Sequence, residues 1–191
     1  GSRKTDVGTP RNETLIVDIL SGRQADPKRI NPYLPGAVAA DAGLHQLVFS
    51  NLWEIDTVNG KQIPDLAATM PEPLDNSMKK FRFKVQEGLT WSDGKPFTAE
   101  DVEFTSNMIL ETPELPYSGY FKTLVKSMKA VDKYTVEVET VKPETRLAQK
   151  LGVVIFGNSF KVVPKHIWKN KDPTKFAFTD PIGVGPYVLK E

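Results

Sequence analysis

The residues able to do chemistry are few and widely spaced. His45 and His166 are the two histidines, and neither has a second histidine or a carboxylate at metal-ligand spacing, so each is expected to satisfy a local hydrogen bond. Glu100, Asp101 and Glu103 form an acidic cluster, but adjacent helical positions do not share a face, and acids in a first turn favourably meet the helix dipole. Capping, not acid–base chemistry, is the expected role. Ser21 and Ser159 lack the glycine-flanked turn of a nucleophilic serine. Gly183-Val-Gly-Pro lacks the third glycine, the Lys-Ser/Thr ending and the following helix of a phosphate loop, and reads as a tight turn before a strand. With no cysteine in the chain, thiolate metal sites and disulfides are excluded. What remains is aromatic contact. Tyr117 and Tyr120 lie in the proline-punctuated stretch Pro113-Glu-Leu-Pro-Tyr-Ser-Gly-Tyr, read as a loop whose rings either stack on a ligand or pack against the fold. Trp53, Trp91 and Trp168 sit in patterned segments and are expected in the core.

The 191 residues carry 25 Lys and Arg against 24 Asp and Glu, with 39% hydrophobic residues. That balance fits a globular chain and lacks the basic concentration that phosphate backbones require, so no nucleic acid partner is expected. No apolar stretch approaches the ~20 residues that span a bilayer.

The elements that must position these residues follow from periodicity. Residues 15–20 form a β-branched run expected to be a buried strand, preceded by a polar lead-in over 1–13 and followed by a proline-rich loop over 21–35. Apolar residues at helical spacing predict a helix within 38–53. The segment 53–58 then meets Asn59-Gly60, a pair suited to the positive φ angles of a tight hairpin turn. Residues 80–85 alternate charged and apolar side chains, the pattern of a strand with one wet face, and 91–97 make a turn. Thr98 with Asp101 resembles a capping box opening a helix that stops before Pro113. A second alternating strand follows the Asp132-Lys133 turn, within 129–141. Residues 144–151 are expected to be a short helix, 153–156 an apolar segment, 164–169 a helical turn begun by proline, and 183–191 the start of a strand.

Taken in order, Asn31-Pro-Tyr, then Phe81-Arg-Phe-Lys-Val-Gln-Glu-Gly-Leu-Thr-Trp-Ser-Asp-Gly-Lys-Pro-Phe-Thr-Ala-Glu-Asp-Val-Glu-Phe104, then Val163-Pro-Lys-His-Ile and Gly183-Val-Gly-Pro-Tyr-Val-Leu-Lys resemble a family. It is the extracytoplasmic solute-binding proteins of ABC importers, in the group that includes oligopeptide and dipeptide binders. The resemblance implies a mixed α+β or α/β fold of the type II periplasmic-binding-protein kind, with only the first lobe present: a mixed-sheet core with an inserted smaller α+β domain. By the same analogy residues 1–40 open the core domain, 41–180 form the inserted domain, and 181–191 return to the core domain as a strand. Ligand contacts carried over from peptide-binding relatives fall on Leu34, Pro35, Gly36 and Ala37 in the loop after the Asn-Pro element, and on Tyr117. Tyr33 is added as a ring able to stack on a sugar face, and Phe156 and Asn158 as a third cleft element. Leu34-Pro-Gly-Ala stands where peptide binders present an acid, so oligopeptide and oligosaccharide both remain open. The implied function is non-enzymatic, without cofactor or metal: a periplasmic or extracytoplasmic binding component that captures a solute between two lobes and delivers it to ABC permease subunits. The alternative is a receptor or chaperone-like interaction module on the same fold.

Overall fold

The computed structural model describes residues 28–34, 44–152 and 160–189. The lead-in, the strand expected at 15–20, the apolar segment at 153–156, and Ser21 and Ser159 lie outside them. The sequence alternation at 80–85 becomes β4 (Lys80–Lys84), with Phe81 and Phe83 buried and Lys80, Arg82 and Lys84 exposed. It pairs antiparallel with β6 (Thr135–Thr140), which pairs with β5 (Val125–Ala130), while β3 (Glu72–Pro73) extends the sheet on the other side, giving the order β3-β4-β6-β5. The register sets Phe81 opposite Val138 and Phe83 opposite Val136, so the period of two puts apolar side chains on one face. The opposite face is held by charge, Arg82 on Glu137 at 2.5 Å and Lys126 on Glu139 at 2.8 Å. Such exposed pairs contribute only ~0–1 kcal/mol each.

Helix α2 (Ala99–Glu111) packs on β5 and β6. Its start is the expected capping box, the Thr98 backbone N–H donating to Asp101 Oδ2 at 3.0 Å. Asp101 does more than cap. Though 4% exposed, it also accepts the Lys165 backbone N–H at 2.9 Å and the Trp91 indole N–H at 3.4 Å. One carboxylate thus joins the 91–97 turn, the α2 N-terminus and the start of α5 (Lys165–Trp168). The acidic cluster is structural throughout: Glu103 accepts the Ala130 N–H and Glu100 pairs with Lys165. Trp53, Trp91 and Trp168 are all buried, as expected.

Four local expectations change. Only Leu44–Val48 of the stretch 38–53 is described as helix (α1), and the chain becomes β1 (Trp53–Ile55) at its end. Asn51 at the junction gives its main chain to Leu66 and Asp65 instead of a helical ladder. The hairpin joining β1 to β2 (Gln62–Pro64) is not a two-residue Asn-Gly turn. Asp56 and Lys61 close a longer loop through the Asp56 N–H on the Lys61 carbonyl at 2.8 Å, with Gly60 at φ 70° as its positive-φ residue. The stretch around Tyr117 is not a loop: Ser118–Leu124 is helix α3, with Tyr117 at its N-cap. Helix α4 (Leu147–Gly152) appears where 144–151 was expected.

The fourth change concerns the chain end, where no strand is described within 181–189. Gly183 and Gly185 instead run against the end of α1, with the Gly185 N–H on the Val48 carbonyl at 2.9 Å and the Tyr187 N–H on that of Leu47 at 3.0 Å. A Cβ on Gly183 would lie 2.0 Å from the Val48 carbonyl oxygen, so these glycines serve close backbone approach. Tyr187, Val188 and Leu189 are exposed.

Two measurements check this reading. Asp101→Ala strips the acceptor from buried backbone and indole donors, and equilibrium unfolding should record a loss of about 3 kcal/mol; a loss below 1 would contradict the hub role. His45 is 5% exposed and faces the Ile30 carbonyl through Nε2 at 3.1 Å. Burial is the main reason its pKa falls to about 4 from 6.5, so the folded state keeps it neutral. Below pH 6.5 the unfolded chain takes up a proton that the folded chain refuses, so this stability is present above pH 6.5 and drains away as pH falls toward 4. Between pH 7.5 and 5 the loss should be about 2 kcal/mol, read as the difference between wild type and His45→Gln in urea titrations at both pH values.

Candidate functional site

The proposed contacts that the structure describes are Tyr33, Leu34 and Tyr117; Pro35, Gly36, Ala37, Phe156 and Asn158 lie outside the described residues. The first two are positioned by Asn31, which is fully buried. Its side-chain Nδ2 donates to the carbonyls of Phe176 at 2.7 Å and Pro173 at 3.1 Å, and its Oδ1 accepts the Tyr33 backbone N–H at 2.8 Å. The backbone N–H groups of Ile30 and Asn31 both reach the Ala177 carbonyl, at 3.0 and 3.1 Å. An asparagine side chain bonding the backbone two residues on makes a tight local turn, and here the same amide fastens the segment across the fold. The following Phe178 holds φ at 55°, a conformation rare for a bulky residue, with its ring packed against Phe49, Trp168 and Phe176.

Tyr33 and Tyr117 are brought together. Tyr33 is 3% exposed, and its hydroxyl donates to the Lys161 carbonyl. Burial drives its phenol well above the usual range, and the neighbouring Tyr117 adds to the rise. Tyr117 is 2% exposed, its ring 5.5 Å from that of Phe121 and 5.9 Å from that of Tyr120. Phe121 in turn stacks on Phe160 at 5.4 Å with the rings nearly parallel. Burial raises the Tyr117 phenol too, with Tyr120 contributing. Neither buried tyrosine offers an open ring face; Tyr120, 40% exposed, is the accessible ring of this group. The polar capacity differs more than the burial. Tyr33 has its donor engaged, whereas the Tyr117 hydroxyl has no hydrogen-bond partner among the described residues, as is also true of Ser106 and Ser118. A buried hydroxyl left unpaired costs about 1–3 kcal/mol.

Behind the tyrosines lies a charged layer that the sequence reading missed. Lys161 is 4% exposed, and burial lowers its pKa to about 8 against the raising effect of the nearby Glu54 and Asp65 carboxylates. Burial is also what raises the Asp65 carboxyl. The one sequence signal was a lysine interrupting the apolar run from Phe160 to Val163. His45 bonds the Ile30 carbonyl, while His166 of α5 pairs with Asp93, in the turn before α2, at 2.7 Å. Among the described residues no three His, Asp or Glu side chains gather as a metal site. Among the described residues the arrangement therefore supplies one enclosed phenolic hydroxyl without a partner, that of Tyr117, and one accessible ring, that of Tyr120.

The relatives match this architecture. A family model described as bacterial extracellular solute-binding proteins, family 5 Middle, matches residues 61–191. Protein XP55 of Streptomyces lividans is 28% identical over 185 residues, covering 96% of this chain and 31% of that protein. Among solved structures, the periplasmic oligopeptide-binding protein of a Thermotoga maritima oligopeptide ABC transporter superposes with a TM-score of 0.71 at 28% identity, over 86% of this chain and 29% of that one. The same protein is known with mannohexaose bound. NikZ of Campylobacter jejuni, solved in complex with Ni(L-His), superposes with a TM-score of 0.68 at 26% identity, over 84% of this chain and 30% of that one. The chain thus spans about a third or less of the length of the curated relatives it matches. With the family model covering most of the sequence and the fold shared, the chain belongs to family 5 of the bacterial extracellular solute-binding proteins and has the mixed helix-and-sheet fold of type II periplasmic binding proteins.

Proposed function

We propose that the protein is the substrate-binding component of an ABC importer, which captures an oligopeptide or an oligosaccharide between two lobes outside the cytoplasmic membrane and delivers it to permease subunits. The observation that carries this reading is the family match over 61–191. The chemistry of the site agrees with it. Among the described residues the buried Tyr117 hydroxyl has no partner and lies beside Tyr120 and Phe121; a phenol flanked by rings serves a sugar hydroxyl or a peptide amide equally well. The similar Thermotoga protein, named for oligopeptides and solved with mannohexaose, spans both of these ligand classes. Tyr33, Leu34, Pro35, Gly36, Ala37, Phe156 and Asn158 complete the proposed contact set with Tyr117. Leu34 is buried and brings no charge.

Isothermal titration of the intact protein with a mixed tripeptide pool and with mannohexaose tests the reading, and one of the two should bind with micromolar or better affinity, about −8 kcal/mol. Tyr117→Phe deletes the free hydroxyl with almost no change in volume. Affinity for the solute that binds should fall about five- to tenfold, the worth of one hydrogen bond, while thermal stability holds or rises because an unpaired buried group has gone. Silence from both solute classes at millimolar concentration would defeat the proposal.

A further inference from the structure

Away from the tyrosines, α2 and α5 leave a groove between them of about 470 Å³. Neither Tyr33 nor Tyr117 lines it. Its floor is apolar, formed by Phe104 and Met108 of α2 with Trp168 of α5 and Pro173 beyond it. The floor also carries a polar group with nothing to bond. Trp168 is 1% exposed and set edge-on against Phe176 and Phe178, with ring centroids at 5.0 and 5.1 Å. Its indole N–H is a buried donor without a partner among the described residues. A donor enclosed in this way destabilises the fold until an acceptor reaches it.

The walls carry opposite charges. Glu100, Glu103 and Glu111 line the α2 side, and Lys165, Lys169 and Lys171 the α5 side. Part of this charge is already engaged: Glu100 pairs with Lys165 at 2.8 Å, Glu103 accepts the Ala130 N–H, and the Lys171 ammonium lies over the Phe176 ring. Glu111 and Lys169 are exposed and have no side-chain partner among the described residues. Glu111 stands about 16 Å along the helix from Glu100, at the C-terminal end of α2, where the helix dipole also favours a cation. A plain anion in the groove would meet the α2 carboxylates, and a plain cation would meet the lysines. A molecule bearing both charges suits each wall, and the apolar floor calls for a hydrocarbon side chain. The volume is that of a small-ligand site, a class of about 300–1,000 Å³.

We propose that this groove binds a free amino acid with an apolar side chain. Its ammonium meets Glu111, its carboxylate meets Lys169 and the Trp168 indole N–H, and its side chain covers Phe104 and Met108.

Nuclear magnetic resonance on the intact protein, with L-leucine as the probe, tests the assignment. The indole N–H resonance of Trp168, identified by its loss in Trp168→Phe, should shift saturably. Those of Trp53 and Trp91 should stay in place, because their N–H groups already donate to the Thr69 carbonyl and to Asp101. N-acetyl-leucine and leucinamide each lack one charge and should bind about tenfold or more weakly, the worth of one charge-assisted hydrogen bond. L-leucine should lose as much affinity for Glu111→Gln and for Lys169→Met, and thermal melting of these two surface variants should match wild type. No saturable shift of the Trp168 resonance at millimolar L-leucine overturns the proposal, and so does equal binding of either blocked derivative. A response confined to the amides of 28–34 would put the amino acid beside Tyr33 and overturn it as well.

Discussion

The seating of helix α2 depends on the carboxylate of Asp101, and the rest of the described fold hangs from that helix. Through Thr98, Trp91 and Lys165 it fixes one end of α2, the preceding turn and the following α5. From the same turn of helix the connection continues inward. Thr105 bonds the Asp101 carbonyl and receives the Val163 N–H, which places 160–163, and Lys161 in that segment receives the Tyr33 hydroxyl. The chain of bonds running from the α2 N-terminus to Tyr33 is therefore continuous. Each link is buried, where a hydrogen bond is hard for water to replace and costly to leave unmade.

The charges divide by depth. Pairs on the outer sheet face, such as Arg82 with Glu137, are half exposed, and solvent screens them so that they fix register more than stability. Lys161, 4% exposed, is the deep one, with Glu54 and Asp65 half-buried near it. There burial lowers the lysine pKa to about 8, against the raising effect of the nearby carboxylates, and burial raises that of Asp65.

What could be read from the sequence was what short-range rules determine. The alternation of 80–85 needs no knowledge of the fold to place Phe81 and Phe83 inward, and Thr98 with Asp101 announces a helix start by itself. The failures share a cause. The helical spacing in 38–53 was real, but Asn51 and Trp53 are claimed by partners distant in sequence, Leu66 and Thr69, and tertiary bonding overrides local propensity. Around Tyr117 prolines suggested a loop, yet α3 begins immediately after them, where its first N–H groups have no need of intrahelical partners. Neither the long-range bonds of Asn31 to Pro173 and Phe176 nor the acid pair around Lys161 leaves a local pattern, so the site's supports were invisible where its tyrosines were not.

This division bears on how far family resemblance reaches. The block from Phe81 to Phe104 carries the most recognisable motif, and its side chains Phe81, Phe83, Trp91, Phe97, Asp101 and Val102 are all buried. They build sheet, turn and helix cap and leave nothing for a solute to touch. A sequence can therefore keep the motif, and with it the fold, while the residues that face a ligand change freely around it. The structures similar to this chain display that freedom, since one was solved with mannohexaose and another with Ni(L-His). Under the function proposed, ligand choice falls to side chains outside the motif, such as Tyr33 and Tyr117, which Asn31 and α3 position. On that proposal the motif keeps the fold constant while side chains outside it are free to change the ligand.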